Sequence, residues 1–205
     1  MRADRHKPRR ARPLEASLLY ADTERDANLL YATRIFVPDP FIFFQIGRRK
    51  FAVMSDLEID RARKQADVDR VLSLSDALGR ARGCCARNPG VADVISLLLA
   101  ERGVRRLVVP SNFPLGLAQA LWKRRFHIRV KPDPFHEERE IKSDEEIRWI
   151  GESVRAAEAG MEAAVAVLRR AKIRSGRDLY LDGARLTSER LKSVINSTIQ
   201  RAGAV

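Results

Sequence analysis

FIFFQIGRRKFAVMSD, residues 41–56, decides the architecture of the front part of this chain. Pro38-Asp39-Pro40 stands just before it and signals a turn, because proline fixes its own φ and keeps the preceding residue out of the helical region. FIFFQI (41–46) and FAVMSD (51–56) are short apolar runs. Gly47-Arg48-Arg49-Lys50 between them is a short polar link with a glycine. Two such runs across such a link read as a β-hairpin. Its strands are antiparallel, so a sheet that contains it is mixed or fully antiparallel.

Outward from the hairpin, strand and helix signals alternate. Leu57 to Gln65 is charged and reads as a helix, and VLSLSD (71–76) as a third strand. VADVISLLLAERG follows Asn88-Pro89-Gly90 and reads as a helix that stops at Gly103. VRRLVVP is a strand ended by Pro110, Pro114 opens a helix to about Arg125, and FHIRV (126–130) is a last strand before Pro132-Asp133-Pro134. Such alternation predicts an α/β domain, a mixed sheet with flanking helices. PDPF occurs at 38–41 and 132–135 with unrelated flanks, a repeated turn rather than an internal repeat.

Beyond residue 141 the composition changes. Ser143 with Glu146 three residues on forms a capping box. Ile147, Ile150, Val154, Ala157, Met161, Val165 and Leu168 then recur at steps of three and four, the mark of one helical face. Gly176 and Asp182-Gly183 mark a loop. Thr187 caps a second helix, with Leu186 and Leu191 placed to pack across its entry and Leu191, Val194, Ile195 and Ile199 as its stripe. Two amphipathic helices need something to bury against. A stripe left exposed promotes self-association.

Thirty-nine basic against 27 acidic residues give a net charge of +12, which suits a polyanionic or acidic partner. MRADRHKPRRAR alone carries +5. With almost no apolar content before Leu14, it reads as a disordered basic tail and lacks the apolar run of a secretory signal. No stretch has the roughly 18 apolar residues of a membrane span. Adjacent Cys84 and Cys85 make neither a disulfide framework nor a zinc site, so a cytoplasmic, reducing setting is expected.

No catalytic constellation emerges. His136-Glu137-Glu138-Arg139-Glu140 has Glu140 where the zinc motif H-E-x-x-H needs its second histidine, and reads as a solvated linker. Asp178, Asp182 and Glu189 could gather around a divalent ion, but no histidine follows His136. His127 sits in a strand. Ser111-Asn112 reads as a helix cap. WKRRFHIRVK interleaves aromatic and basic residues as single-strand nucleic-acid grooves do, but reads as a basic helix end running into a strand. Catalytic, cofactor-binding and metal-binding residues are therefore all expected to be none.

Arg139-x-Ile141-Lys142-Ser143-x-Glu145-Glu146-Ile147, followed by Ala156-Ala157 and Gly160-Met161, resembles a known junction. It is similar to the start of the catalytic domain in the pita-bread metallopeptidases, the M24 family of Xaa-Pro aminopeptidases, prolidases and creatinase. Pro38-Asp39-Pro40-Phe41 and the alternation after it resemble that family's creatinase-like N-terminal domain, and Leu186-Thr187-Ser188-Glu189 resembles a segment of its second helix. The resemblance covers about residues 26–203. It leaves the basic tail over 1–25 outside, and implies a creatinase-like, ribonuclease-H-like α/β domain over 26–137 and a linker with the first two helices of a pita-bread domain over 138–205. It implies the non-catalytic front portion of a metal-dependent hydrolase, capping the active site and supporting homo-oligomer contacts. A full-length relative would hold two divalent ions (Mn, Co or Zn) on two Asp, one His and two Glu, and would act on proline-containing peptides. No position of this chain matches those five ligands, so the chain is expected to be inactive alone. The alternative is a stand-alone creatinase-like interaction module that binds an acidic protein or nucleic acid through its +12 charge.

Overall fold

The computed structural model describes residues 14–84, 87–174, 176 and 178–203. They divide into two compact units at the 139/140 boundary. Residues 1–13, the greater part of the expected tail, lie outside the described residues.

The first unit is built on a six-stranded sheet. Its strands are β1 (Glu15–Ala21), β2 (Phe41–Ile46), β3 (Arg49–Met54), β4 (Arg70–Ser73), β5 (Arg106–Pro110) and β6 (His127–Lys131), in the order β4-β3-β2-β1-β5-β6. β1 with β2 and β2 with β3 are antiparallel; the other pairs are parallel. The sheet is mixed, as the hairpin requires. Ile46 pairs with Arg49, so Gly47 and Arg48 alone make the turn, and Gly47 has φ +59°, a conformation that glycine adopts without steric cost.

Phe41, Ile42, Phe43 and Phe44 are all buried because the sheet is covered on both faces. Successive side chains point to opposite faces. Ile42 and Phe44 enter one cluster with Leu18, Val53, Leu107 and Val109, covered by α3 (Leu74–Cys84), α4 (Val91–Ala100) and α5 (Leu115–Lys123). Phe41 and Phe43 enter the other with Leu19, Met54 and Val108, beneath α1 (Ala27–Thr33), α2 (Ile59–Gln65) and Phe135. Phe44 stacks on Phe51 at 4.7 Å between centroids, and the Arg102 guanidinium lies 4.8 Å over the Phe51 ring.

Several boundaries differ from expectation. Residues 15–21, assigned to the tail, form β1, which lies between β2 and β5 inside the sheet. VLSLSD is strand only to Ser73. The Ser73 Oγ accepts from the Asp76 backbone N–H at 3.1 Å, and α3 begins at Leu74. Pro114 is the N-cap of α5 rather than its first residue.

The second unit holds α6 (Asp144–Arg170), a small antiparallel sheet of β7 (Lys172–Ile173), β8 (Leu179–Leu181) and β9 (Ala184–Arg185), and α7 (Ser188–Arg201). The capping box forms as its spacing predicts: the Ser143 Oγ accepts from the Glu146 N–H at 3.2 Å, and the Glu146 carboxylate accepts from the Ser143 N–H at 2.9 Å. Asp182 and Gly183 both have positive φ and turn β8 into β9, the geometry that Asp-Gly favours. The face of α6 that meets α7 is not the stripe of large side chains. It carries the buried Ala156, Gly160 and Ala164, and a Cβ on Gly160 would come within 3.3 Å of Ile195 and 2.7 Å of Ile199. Small residues let the two backbones approach closely; the large ones remain outside.

Candidate functional site

Side chains two apart along a strand share a face, so β1 presents Glu15, Ser17 and Leu19 on the α1/α2 side of the sheet. Leu19 is buried there, but toward the start of the strand the same face turns polar. Ser17 pairs with Gln45 on β2 and Val108 on β5, and Val108 pairs with Arg129 on β6. Glu15 pairs with Arg106, which pairs with His127. Two hollows open on this polar end. One of about 300 Å³ is lined by Glu15, Ser17, Gln45, Lys131, His136 and Glu138 among others; one of about 250 Å³ is lined by Glu15, Arg106, His127 and Arg129 among others.

Charges here are largely matched. The Arg129 Nη2 lies 3.4 Å from the Glu15 carboxylate and the Lys131 Nζ 2.8 Å from that of Glu137. His136 is the exception to the general satisfaction of polar groups. Its ring lies 5.5 Å from Tyr31 and 5.1 Å, edge-on, from Phe135, and its Nε2 is buried with no hydrogen-bond partner among the described residues. Burial pushes its pKa below the ordinary histidine value. Glu138 opposes the shift, while Arg139, Lys131 and Lys50 add to it. The imidazole is thus neutral at pH 7 and can hydrogen-bond a small polar group. The expected solvated linker is corrected for His136: Glu137 and Glu138 are exposed, but the histidine turns inward onto two aromatic rings.

The other sequence candidates separate. His127 lies on β6, the strand expected for it, and is exposed there. Ser111 and Asn112 do not cap α5: the Asn112 Nδ2 donates to the Asp26 carboxylate at 2.8 Å, and the Ser111 Oγ donates to that of Asp133 at 3.3 Å. Asp26, buried at the start of α1, needs that partner. Asp178 lies 2.9 Å from Arg185, Asp182 lies 3.3 Å from Arg170, and Glu189 sits in the first turn of α7. Among the described residues no group of three or more His, Cys, Asp or Glu side chains is placed to hold a metal. In WKRRFHIRVK, Phe126 is buried beneath the Arg105 guanidinium, 5.2 Å from its ring, so it offers no face to a base. That segment is a helix end and a strand.

The hollow beside His136 was not read from the sequence. Its signal is the polar pair Glu15 and Ser17 in EASLLYA, legible only once that segment is known to be a strand.

Neither the protein-family models nor the curated proteins match this chain in sequence. Its fold does match solved structures. A Xaa-Pro dipeptidase from Bacillus anthracis aligns with a TM-score of 0.68 at 15% identity over 94% of this chain and 46% of that one. The X-Pro aminopeptidase from Thermotoga maritima aligns at 0.65 and 14% identity over 93% and 47%. The prolidase from Pyrococcus furiosus aligns at 0.64 and 13% identity over 92% and 46%. The chain therefore has a fold found in Xaa-Pro peptidases, as its motifs suggested, and spans about 46% of the length of such chains.

Proposed function

We propose that the chain is the front, non-catalytic portion of a metal-dependent Xaa-Pro peptidase-like hydrolase. In this reading residues 14–139 form a capping and oligomer-contact domain, and residues 140–203 open the catalytic domain with its first two helices. The observation that carries it is the extent of the fold likeness: 92–94% of this chain against peptidases it covers by about 46%. The two divalent ions of such an enzyme find no seat among the described residues. Asp178 and Asp182 are each held by an arginine and Glu189 does not converge on them, so no step is assigned to a metal here. Proline-containing peptides would be substrates of the whole enzyme, in the cytoplasm. Among the described residues no helix is long and apolar enough to cross a membrane.

The test has two arms. The purified 205-residue chain, given Mn²⁺, Co²⁺ or Zn²⁺, is expected to leave X-Pro dipeptide cleavage at background. Metal-dependent turnover that copurifies with it would overturn the proposal. Reading the gene past codon 205 is expected to show an open frame with Asp, His and Glu ligands. A stop codon there would favour the stand-alone module, whose support is the exposed Arg106 and Arg125, neither of them ion-paired with a described residue.

A further inference from the structure

The segment after β6 returns to α1 and is fastened to it at three points. Phe135, 5% exposed, enters the cluster that holds Leu29 and Ala32. The His136 ring lies 5.5 Å from that of Tyr31. The Arg139 Nη1 donates to the buried Asn28 Oδ1 at 2.6 Å, brought there by a single 3₁₀ turn, Glu137–Glu140.

Of the three, the His136 contact depends on protonation. Its Nε2 is buried with no hydrogen-bond partner among the described residues, so a proton placed there would have no acceptor. The charges around it come from every neighbouring element. β6 contributes Lys131, 2.8 Å from Glu137, and β3 contributes Lys50, 2.6 Å from Asp67. From α1's side the Arg34 guanidinium lies 4.7 Å over the Tyr31 ring. Glu15 on β1 lines the same hollow and pairs with Arg129 at 3.4 Å. Burial is the largest force against the imidazolium; Glu138 favours it, and Arg139, Lys131 and Lys50 oppose it.

We infer that residues 135–139 form a proton-operated latch: with His136 neutral the segment is fastened to α1, and with His136 protonated it comes away while the six-stranded sheet stays folded. Local release precedes unfolding because Phe135 is the only side chain of the segment that is fully buried, whereas the sheet is covered on both faces. The sign follows from linkage. In the released segment His136 titrates near the ordinary value of about 6.5, and in the fastened segment below it. The latch is therefore at full strength above about pH 6.5. Each pH unit below that, down to the fastened-state value, multiplies the released population by up to about tenfold. The inference goes beyond the functional reading above and does not rest on it.

A glutamate-specific protease tests it, because Glu137 and Glu138 lie within the latch and cleavage after them tracks the released population. Rates for the 205-residue chain are divided, at each pH, by the rate for a free peptide of residues 132–143. The ratio is expected to rise by up to about tenfold between pH 6.5 and pH 5.5, while cleavage after Glu58 and Glu101, in the body of the unit, stays flat. His136→Phe keeps an aromatic ring without a titrating group and is expected to abolish the rise. Asn28→Ala removes the acceptor of Arg139 and is expected to raise the ratio at every pH with the slope unchanged. Circular dichroism checks the fold of each variant, and His136→Gln, neutral throughout this range, replaces His136→Phe if that variant does not fold. A ratio independent of pH in the wild type would overturn the proposal, as would the same slope in the neutral variant or an Asn28→Ala chain indistinguishable from wild type. Cleavage after Glu58 and Glu101 that rises in step would also overturn it, since the proton would then unfold the whole unit.

Discussion

Replacing Gly160 by alanine sets two effects of opposite sign against each other. Inside a helix the change should gain about 1 kcal/mol from backbone entropy and propensity. The added Cβ, however, would stand 2.7 Å from the Ile199 Cγ1, 2.9 Å from its Cδ1 and 3.3 Å from the Ile195 Cγ2. Non-bonded carbons settle at about 3.5–4.0 Å, so roughly 1 Å must be opened. The Ile199 Cδ1 can swing away. Its Cγ1 cannot, because isoleucine in a helix is held to one χ1 rotamer. α6 and α7 must move apart, at the cost of about 1–3 kcal/mol typical of overpacking. The steric term wins, and Gly160→Ala should lose about 1 kcal/mol net. The assay is urea unfolding followed by Trp149 fluorescence in a Trp122→Phe background, which leaves the only tryptophan on α6. In an Ile199→Ala background only the milder 3.3 Å approach of the Ile195 Cγ2 remains, and the same substitution should become stabilising. A gain of about 1 kcal/mol from Gly160→Ala with Ile199 present, or an equal effect in both backgrounds, would refute the close contact.

Asp93 accepts from the Gly90 N–H at 3.0 Å and from the Arg124 guanidinium at 2.6 Å, and these hold its carboxyl below the ordinary aspartate value. Asp93→Ala should cost about 2 kcal/mol in urea unfolding at pH 7, and the deficit should shrink as pH falls below about 4 and the wild-type carboxylate is protonated. His136 works in the same pH direction through a different group. Its folded pKa is depressed by burial, so the unfolded chain takes the proton first, and Tm should fall as pH drops below about 6.5. His136→Phe should flatten that part of the Tm profile; an unchanged slope would place the titration elsewhere. Phe44→Ala removes a fully buried ring stacked on Phe51 and should cost about 3–5 kcal/mol, measured through Trp122 fluorescence.

The sequence by itself determined what local chemistry controls. Ser143 and Glu146 three residues apart start α6 because two orphan backbone donors find side-chain acceptors within one turn. Gly47 makes the β2–β3 turn and Asp182-Gly183 the β8–β9 turn because each needs a positive φ at those positions. The apolar run from Phe41 to Ile46 announced a strand, and the fold showed that strand covered on both faces. What only the tertiary structure decided depended on partners far along the chain. EASLLYA is unremarkable beside a basic tail, and becomes a central strand because Ala16–Ala21 pairs with Ile46–Phe41 and Glu15–Ser17 with Arg106–Val108. The absence of a second histidine pointed to a solvated His136, but Tyr31, about a hundred residues earlier, supplies the ring that buries it. The strongest apolar stripe of α6 pointed to its packing face, yet α7 chose the small residues. Periodicity measures how much apolar surface a helix carries. Which face is used depends on how closely two backbones can approach, and that closeness belongs to the pair, Gly160 with Ile195 and Ile199.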